Sequence, residues 1–161
     1  MSIVAAAKSF RSGKPEAALE QLLRAWHRSR SPALAEAITF VGGLVDAARE
    51  RLPSKRAERI AAWKKRAARE DCADVGVLLA GLDGLVAEQA APLIDRLRKF
   101  PADPRIVDGL LALADSPPTG MRGRKAAPFW SAVFTTIGAM GDPRSVARLK
   151  ALRARWAGDS Q

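Results

Sequence analysis

The sequence predicts an all-α protein built from stacked pairs of helices, and three observations support this fold class. Alanine and arginine, which favour helices, are abundant, and runs of β-branched residues are few. Apolar residues recur at three- and four-residue steps almost throughout the chain. One phrase also occurs twice, since ADPRIVDGLLAL at 102–113 matches GDPRSVARLKAL at 141–152 at seven positions.

Helix starts of one type recur about every 40 residues. Asp103–Pro104 and Asp142–Pro143 each place a capping carboxylate before a proline, and proline fits the first helical turn. Ser31–Pro32 is a third start of this type, and Asp71 opens a weaker fourth. The intervals between the four starts are 40, 32 and 39 residues.

Four more helices are predicted between these starts, over 15–29, 54–69, 85–99 and 126–140. Pro92 lies inside the third of them, where it should kink the helix or delay its start. Residues 1–13 are expected to form an N-terminal capping helix, and residues 115–127 a long basic loop. A repeated two-helix unit predicts a solenoid of about four pairs, because each pair buries its apolar face against the next. One domain over 1–161 is therefore expected.

The segment IGAMGDPRSVARLKAL resembles the consensus of HEAT-like repeats, in which a helix ends at a glycine and a Gly-Asp-Pro-Arg turn begins the next. The likeness is good over Ile137–Leu152, fair over Asp103–Leu113, and weaker at Asp71 and Ser31. It implies a HEAT-like α-solenoid in which one helix of each pair lines the outer curve and the other the concave side. The connection after Ala114 is longer than the usual turn within such repeats.

The composition and a second likeness bear on the source. DPRIVDGLLALADSPP and APFW resemble helical segments of large, uncharacterised repeat proteins of myxobacteria, which implies no activity. Abundant alanine, and arginine outnumbering lysine 19 to 8, are typical of a GC-rich bacterial genome.

The net charge of +10 is concentrated on one set of helices. The helices between the Asp and Ser starts, with their turns, carry a net charge of +11, whereas the helices opened by those starts carry −3. If the Gly-Asp-Pro-Arg helix is the first of its pair, as the resemblance implies, the basic set forms the concave layer. A positive groove suits an acidic protein segment or nucleic-acid phosphates.

The densest basic cluster lies within SKRAERIAAWKKRAARE at 54–70, and its spacing predicts one stripe along a helix. Apolar side chains, Ala61 and Ala67 among them, are expected to face the other way. A solvated helix face is the alternative to an anion-binding stripe. The stripe residues are Lys55, Arg59, Arg66 and Arg69.

A second basic group, Arg122, Arg124 and Lys125, comes just before a predicted helix start. Free N–H groups and the helix dipole favour anions at such a position. The group lacks the Gly-Lys-Ser/Thr of the phosphate-binding P-loop. A mobile basic connector is the alternative interpretation.

The sequence offers little for catalysis. His27 and Cys72 are the single histidine and cysteine, whereas a structural zinc site takes four such ligands. No Gly-x-Ser-x-Gly, Gly-x-Gly-x-x-Gly or His-Glu-x-x-His motif occurs. Asp71 and Asp74 lie at a helix start, where capping accounts for them better than paired-carboxylate chemistry. No enzyme is expected, and a HEAT-like DNA glycosylase stays an alternative by analogy of fold alone.

The tryptophans have two interpretations. Large aromatics in an alanine-rich stack fill gaps between layers. An aromatic ring beside Arg or Lys can instead stack on a nucleic-acid base. The four tryptophans are Trp26, Trp63, Trp130 and Trp156.

These features predict a non-catalytic binding or scaffold module that contacts an acidic protein surface through its basic helices. Sequence-independent nucleic-acid binding by the same surface is the alternative. No cofactor, metal or small-molecule substrate is expected. The chain has no apolar stretch of about 18 residues, no segment like a signal peptide and no cysteine pair for a disulfide. A cytoplasmic protein without membrane contact is therefore expected.

Overall fold

The structure, a computed structural model, describes residues 3–49, 58, 61, 65, 67, 74–82, 85, 87–117 and 126–158. Every regular element in these residues is a helix, and none of them lies in a strand. The prediction of an all-α protein is therefore confirmed for this part of the chain. The stacking of the helices into a HEAT-like solenoid stays a prediction.

Eight helices follow one another along the described residues. Their bounds are α1 Ile3–Arg11, α2 Pro15–Arg28, α3 Pro32–Arg49, α4 Val75–Gly81, α5 Ala87–Leu97, α6 Pro104–Asp115, α7 Ala127–Met140 and α8 Ser145–Gly158. The predicted helices at 15–29 and 126–140 agree with α2 and α7 to within a residue or two. Residues 58, 61, 65 and 67 are also helical, as predicted for 54–69. A helix lies within residues 1–13, and its capping role stays a prediction.

Side-chain caps explain two of the helix starts. The Ser31 hydroxyl accepts a hydrogen bond from the backbone N–H of Leu34 at 3.3 Å, at the start of α3. The Asp74 carboxylate accepts from the N–H groups of Gly76 and Val77 at 3.0 and 3.4 Å. Helix α4 therefore begins at Val75. The predicted start at Asp71 is too early for α4, because the carboxylate in reach of its free N–H groups is that of Asp74.

The two Asp-Pro-Arg starts differ in where the helix begins. Helix α6 begins directly at Pro104, whereas α8 begins only at Ser145, after a turn. In that turn the N–H groups of Ser145 and Val146 bond to carbonyls three residues earlier, at 3.0 and 3.3 Å. Helix α7 ends at Gly141, whose left-handed φ of 59° favours glycine. This glycine closes its helix as the sequence predicts.

The chain divides into two compact units, Met1–Asp83 with Asp103–Arg105, and Gly84–Ala102 with Ile106–Gln161. A single domain over 1–161 stays a prediction. In the first unit, α2 packs against both α1 and α3. Trp26 is fully buried in its core, beside Leu22 of the same helix and Ile38 of α3. The apolar face that the three- and four-residue spacing predicts for α2 is thus the face that is buried.

The second unit contains the packing of α5 against α7. Ile94 of α5 and Ile137 of α7 are fully buried. The hydroxyl of the buried Thr136 donates to the carbonyl oxygen of Ile94 at 3.4 Å, which links the two helices. Pro92 lies exposed inside α5, and the helix already begins at Ala87, so the proline does not delay its start.

Two adjacent glycines of α3 lie in different surroundings. A Cβ atom at Gly42 would lie 2.7 Å from Nη1 and 2.8 Å from Cδ of Arg105, so that side chain needs the space glycine leaves. A Cβ atom at the exposed Gly43 would meet nothing within 4 Å. Packing therefore requires glycine at Gly42 but not at Gly43.

We expect Gly43→Ala to raise the free energy of unfolding by about 0.5–1 kcal/mol, because alanine restricts the unfolded chain and favours helix. Gly42→Ala should lower it by about 1–2 kcal/mol, because the methyl group displaces the Arg105 side chain. Urea denaturation of both variants measures the difference. Equal effects of the two substitutions would contradict the close contact at Gly42.

Candidate functional site

All seven basic residues predicted as binding residues lie outside the described residues. They are Lys55, Arg59, Arg66, Arg69, Arg122, Arg124 and Lys125. Their assignment as an anion-binding surface stays a prediction from the sequence.

Two alanines of the helix predicted for 54–69, Ala67 and Ala61, test where its apolar face lies. One of them confirms the prediction and the other corrects it. Ala67 is buried, as predicted for the apolar face of this helix. Ala61 was expected on the same face but is exposed. Residues 58, 61 and 65 are all exposed, and their three- and four-residue spacing places them on one side of the helix. Ala61 therefore belongs to the solvent-facing side, beside Glu58 and Lys65.

The two Asp-Pro-Arg turns repeat one hydrogen-bonding arrangement. In each, the aspartate Oδ1 accepts from the backbone N–H of the arginine two residues later, at 2.9 Å for Asp103 and 3.0 Å for Asp142. The guanidinium of that arginine bonds both carboxylate oxygens. Its Nη2 lies 2.8 Å from Oδ2 in Asp103–Arg105 and 2.7 Å in Asp142–Arg144. The Asp103 carboxylate thus caps α6, the Asp142 carboxylate caps the turn before α8, and each is also a bidentate ion-pair partner.

These carboxylates are inside the protein. Asp103 is 4% and Asp142 3% exposed, so neither offers negative charge to the solvent. Arg144 also lies 3.2 Å from Asp108. The hydrogen bond with Asp142 raises the pKa of the Arg144 guanidinium, and Asp108 adds to this shift. Arg144 is therefore a cation bound to the buried Asp142 and to the partly exposed Asp108.

Among the described side chains, exposed cations outnumber exposed acids by eleven to five. The exposed acids are Glu16, Glu20, Glu36, Glu58 and Asp115. The exposed cations are Lys8, Arg11, Lys14, Arg24, Arg28, Lys65, Arg98, Lys99, Arg148, Lys150 and Arg153. The exposed surface of this part of the chain is therefore positive.

The exposed cations are unevenly distributed over the helices. None of the described side chains of α3, α4 and α6 is an exposed cation, whereas α2 and α5 with their ends provide five. This agrees with the sequence-based division into a basic set and a mildly acidic set. Helix α8 departs from it, because it belongs to the acidic set by position yet exposes Arg148, Lys150 and Arg153.

The exposed cations of α8 are a feature that sequence reasoning missed. Lys150 and Arg153 are three residues apart on one side of the helix. Neither forms an ion pair with any residue in the described ranges, whereas Arg148 pairs with Asp115. The sequence contained a sign of these exposed cations, because residues 142–161 have five basic residues and two acids. One of the two acids, Asp142, is buried.

The described residues contain no group of three metal-ligating side chains. His27 is exposed on α2, and Cys72 lies outside the described residues. Asp74 caps α4, which agrees with the capping interpretation of that position.

The two tryptophans whose side chains are described differ in exposure. Trp26 is 0% exposed, so it fills the core and is closed to a nucleic-acid base. Trp130 is half-buried and its ring stacks on Phe134 with centroids 5.9 Å apart. It also meets Phe129 edge-on, with ring centroids 4.9 Å apart. Trp63 and Trp156 lie outside the residues whose side chains are described.

No helix in the described ranges is long and apolar enough to cross a bilayer. No protein-family model matches the chain, and no curated protein or solved structure gives a significant match. The HEAT-like resemblance therefore rests on the sequence motif alone.

We expect Asp142→Ala to lower the free energy of unfolding by about 3 kcal/mol, because it removes a cap and leaves the Arg144 guanidinium without its bidentate partner. The matched control is Asp115→Ala, which removes an exposed ion pair with Arg148 and should cost at most about 1 kcal/mol. Urea denaturation measures both. Equal losses would show that burial of Asp142 does not strengthen its interactions.

Proposed function

We propose that this chain is a non-catalytic, HEAT-like binding module that recognises an acidic protein surface through its basic helical layer. The contact residues proposed are Lys55, Arg59, Arg66 and Arg69, with Arg122, Arg124 and Lys125 as a second group. The observation that carries the proposal is the uneven distribution of exposed cations. Helices α2 and α5 with their ends expose five of them, and the described side chains of α3, α4 and α6 expose none.

The internal use of acids supports the same proposal. A surface carboxylate close to a lysine or arginine lowers the attraction of that cation for a partner. Asp103 and Asp142 are buried against arginines and so do not weaken the surface cations. Four exposed cations of the basic helices and their ends form no ion pair with a described residue, namely Lys14, Arg28, Lys65 and Lys99. These groups can steer an acidic partner and pair with it.

Charge reversal tests the proposed protein partner. We expect the fourfold variant Lys55→Glu, Arg59→Glu, Arg66→Glu, Arg69→Glu to lose the acidic proteins that the wild type captures from its native host, as measured by quantitative mass spectrometry. The double variant Arg59→Glu, Arg66→Glu should lose them in part. Its matched control is Lys150→Glu, Arg153→Glu on α8, which changes the net charge equally and should retain them. An unchanged set of captured proteins in the fourfold variant would refute the proposal.

Sequence-independent nucleic-acid binding is the second candidate, and the stacked, half-buried pair Trp130 and Phe134 favours it. Aromatic rings near a basic surface can stack on bases of single-stranded nucleic acid. A mobility-shift titration with duplex and single-stranded DNA at several salt concentrations tests this. If four phosphates are neutralised, the logarithm of the affinity should fall with the logarithm of salt with a slope of about −3 to −4. Absence of a shift at low salt would exclude this function.

A further inference from the structure

Exposed apolar side chains of the described residues are concentrated in the first unit. Five of the six large apolar residues that are exposed lie on α1 and α3, and the sixth is Val146 of α8. The five are Ile3, Val4, Phe10, Phe40 and Leu44. The rings of Phe10 and Phe40 approach to 6.2 Å between centroids, so the apolar surfaces of α1 and α3 meet. We refer to these five residues as the N-terminal apolar patch.

The patch is not part of the core. Helix α3 already buries an inner face against α2, including Ile38, Val41 and Val45. Phe40 and Leu44 lie one turn apart on its outer face, and Phe40 is 62% exposed. Helix α1 buries only Ala6 and presents Ile3 and Phe10 outward. Outer faces of surface helices are normally polar, so exposed phenylalanine rings that approach each other from two helices, with further apolar side chains on both, indicate a docking site.

Cations border the patch on α1. Lys8 follows Val4 by one turn, and Arg11 follows Phe10 directly. Both are exposed, and neither forms an ion pair with a residue of the described ranges. Glu36, one turn before Phe40, is the single exposed acid among the described side chains of α1 and α3, so two cations and one acid border the patch. An apolar surface with a net positive border favours a partner that is apolar at its centre and acidic at its edges.

We propose that the N-terminal apolar patch binds an amphipathic helix of another protein, whose apolar stripe is flanked by acidic residues. The two phenylalanines supply large aromatic contacts of the kind enriched in protein interfaces. Lys8 and Arg11 pair with the acids of the incoming helix. A second copy of this chain is the less suitable occupant, because each copy carries a net charge of +10 and the same positive border.

This site goes beyond the proposed function, because it contains none of the residues assigned to the basic helical layer. The two proposals can fail separately. If reversal of Lys55, Arg59, Arg66 and Arg69 left every partner bound, the proposed basic layer would be refuted and the patch would not. If no acidic amphipathic helix bound to the patch, the patch proposal would be refuted and the basic layer would not.

The test uses the full chain and two designed peptides of about 18 residues, or five helical turns. Both carry leucines at helical spacing on one face, flanked by glutamates in one peptide and by lysines in the other. Fluorescence anisotropy should show the glutamate peptide binding at least about tenfold more tightly than the lysine peptide. Equal binding of the two peptides, or binding of neither, would overturn the proposal.

Substitutions locate the binding to the patch. Phe40→Ser with Leu44→Ser should weaken binding of the glutamate peptide by at least about tenfold. The matched control Val146→Ser removes an exposed apolar side chain from α8 and should leave binding unchanged. Binding by the Phe40→Ser, Leu44→Ser variant at wild-type affinity would overturn the proposal, provided that circular dichroism shows it to be folded.

Charge reversal provides a second test that leaves the apolar residues intact. Lys8→Glu with Arg11→Glu should invert the preference, so that the lysine peptide binds more tightly than the glutamate peptide. Lys150→Glu with Arg153→Glu changes the net charge equally and should preserve the original preference. A preference that follows net charge, and so inverts in both variants, would overturn the assignment to the patch.

Two further measurements distinguish other occupants. Sedimentation velocity would reveal a dimer that Phe40→Ser abolishes, and such a dimer without peptide binding would identify a second copy as the occupant. Flotation with vesicles of phosphatidylcholine and phosphatidylserine at about 3:1 would reveal lipid binding through the same residues. Either outcome in place of peptide binding would overturn the proposal.

Discussion

The buried carboxylates of Asp103 and Asp142 each make two kinds of interaction, a hydrogen bond with a backbone N–H group and an ion pair with an arginine. A helix start leaves N–H groups without partners, and an aspartate before the first turn satisfies one of them. Once such a carboxylate is buried, it also needs a counter-charge, because an unpaired buried ion is strongly unfavourable. The arginine two residues later supplies it, with both carboxylate oxygens bonded. Each Asp-Pro-Arg segment thus combines a capped N–H group and a bidentate ion pair within three residues.

This unit also shapes the surface. Each buried aspartate is removed from the solvent, and the arginine that pairs with it lies partly buried beside it. The remaining exposed cations are therefore opposed by few exposed acids in the described residues. Each buried pair removes one acid and one cation from the surface, so it raises the ratio of exposed cations to exposed acids without changing their difference. The potential that a partner meets depends on the exposed charges alone.

As proposed binding surfaces, the cationic surface and the N-terminal apolar patch would select different features of a partner. Cations act at a distance and favour acidic partners in a salt-dependent way. The patch acts only in contact, through burial of rings such as Phe10 and Phe40, and is less sensitive to salt. The patch carries its own cations, Lys8 and Arg11, so it can combine both kinds of recognition on two helices.

The sequence by itself determined the helices and most of their starts, because spacing, capping residues and proline act within a few residues of one another. It thereby located the packed face of α2, the cap at Ser31 and the glycine that ends α7. The sequence predicted the start of α4 at Asp71, because Asp71 and Asp74 both fit the capping pattern. In the structure the Asp74 carboxylate bonds the free N–H groups, so α4 begins at Val75. Periodicity also misassigned Ala61, since alanine suits either side of a helix. Only the tertiary structure decided that Asp103 and Asp142 are internal, that Lys150 and Arg153 are exposed without described partners, and that Phe40 faces outward. These properties depend on which helix packs against which face, and a helix that is apolar on two sides does not reveal from its sequence which side is covered.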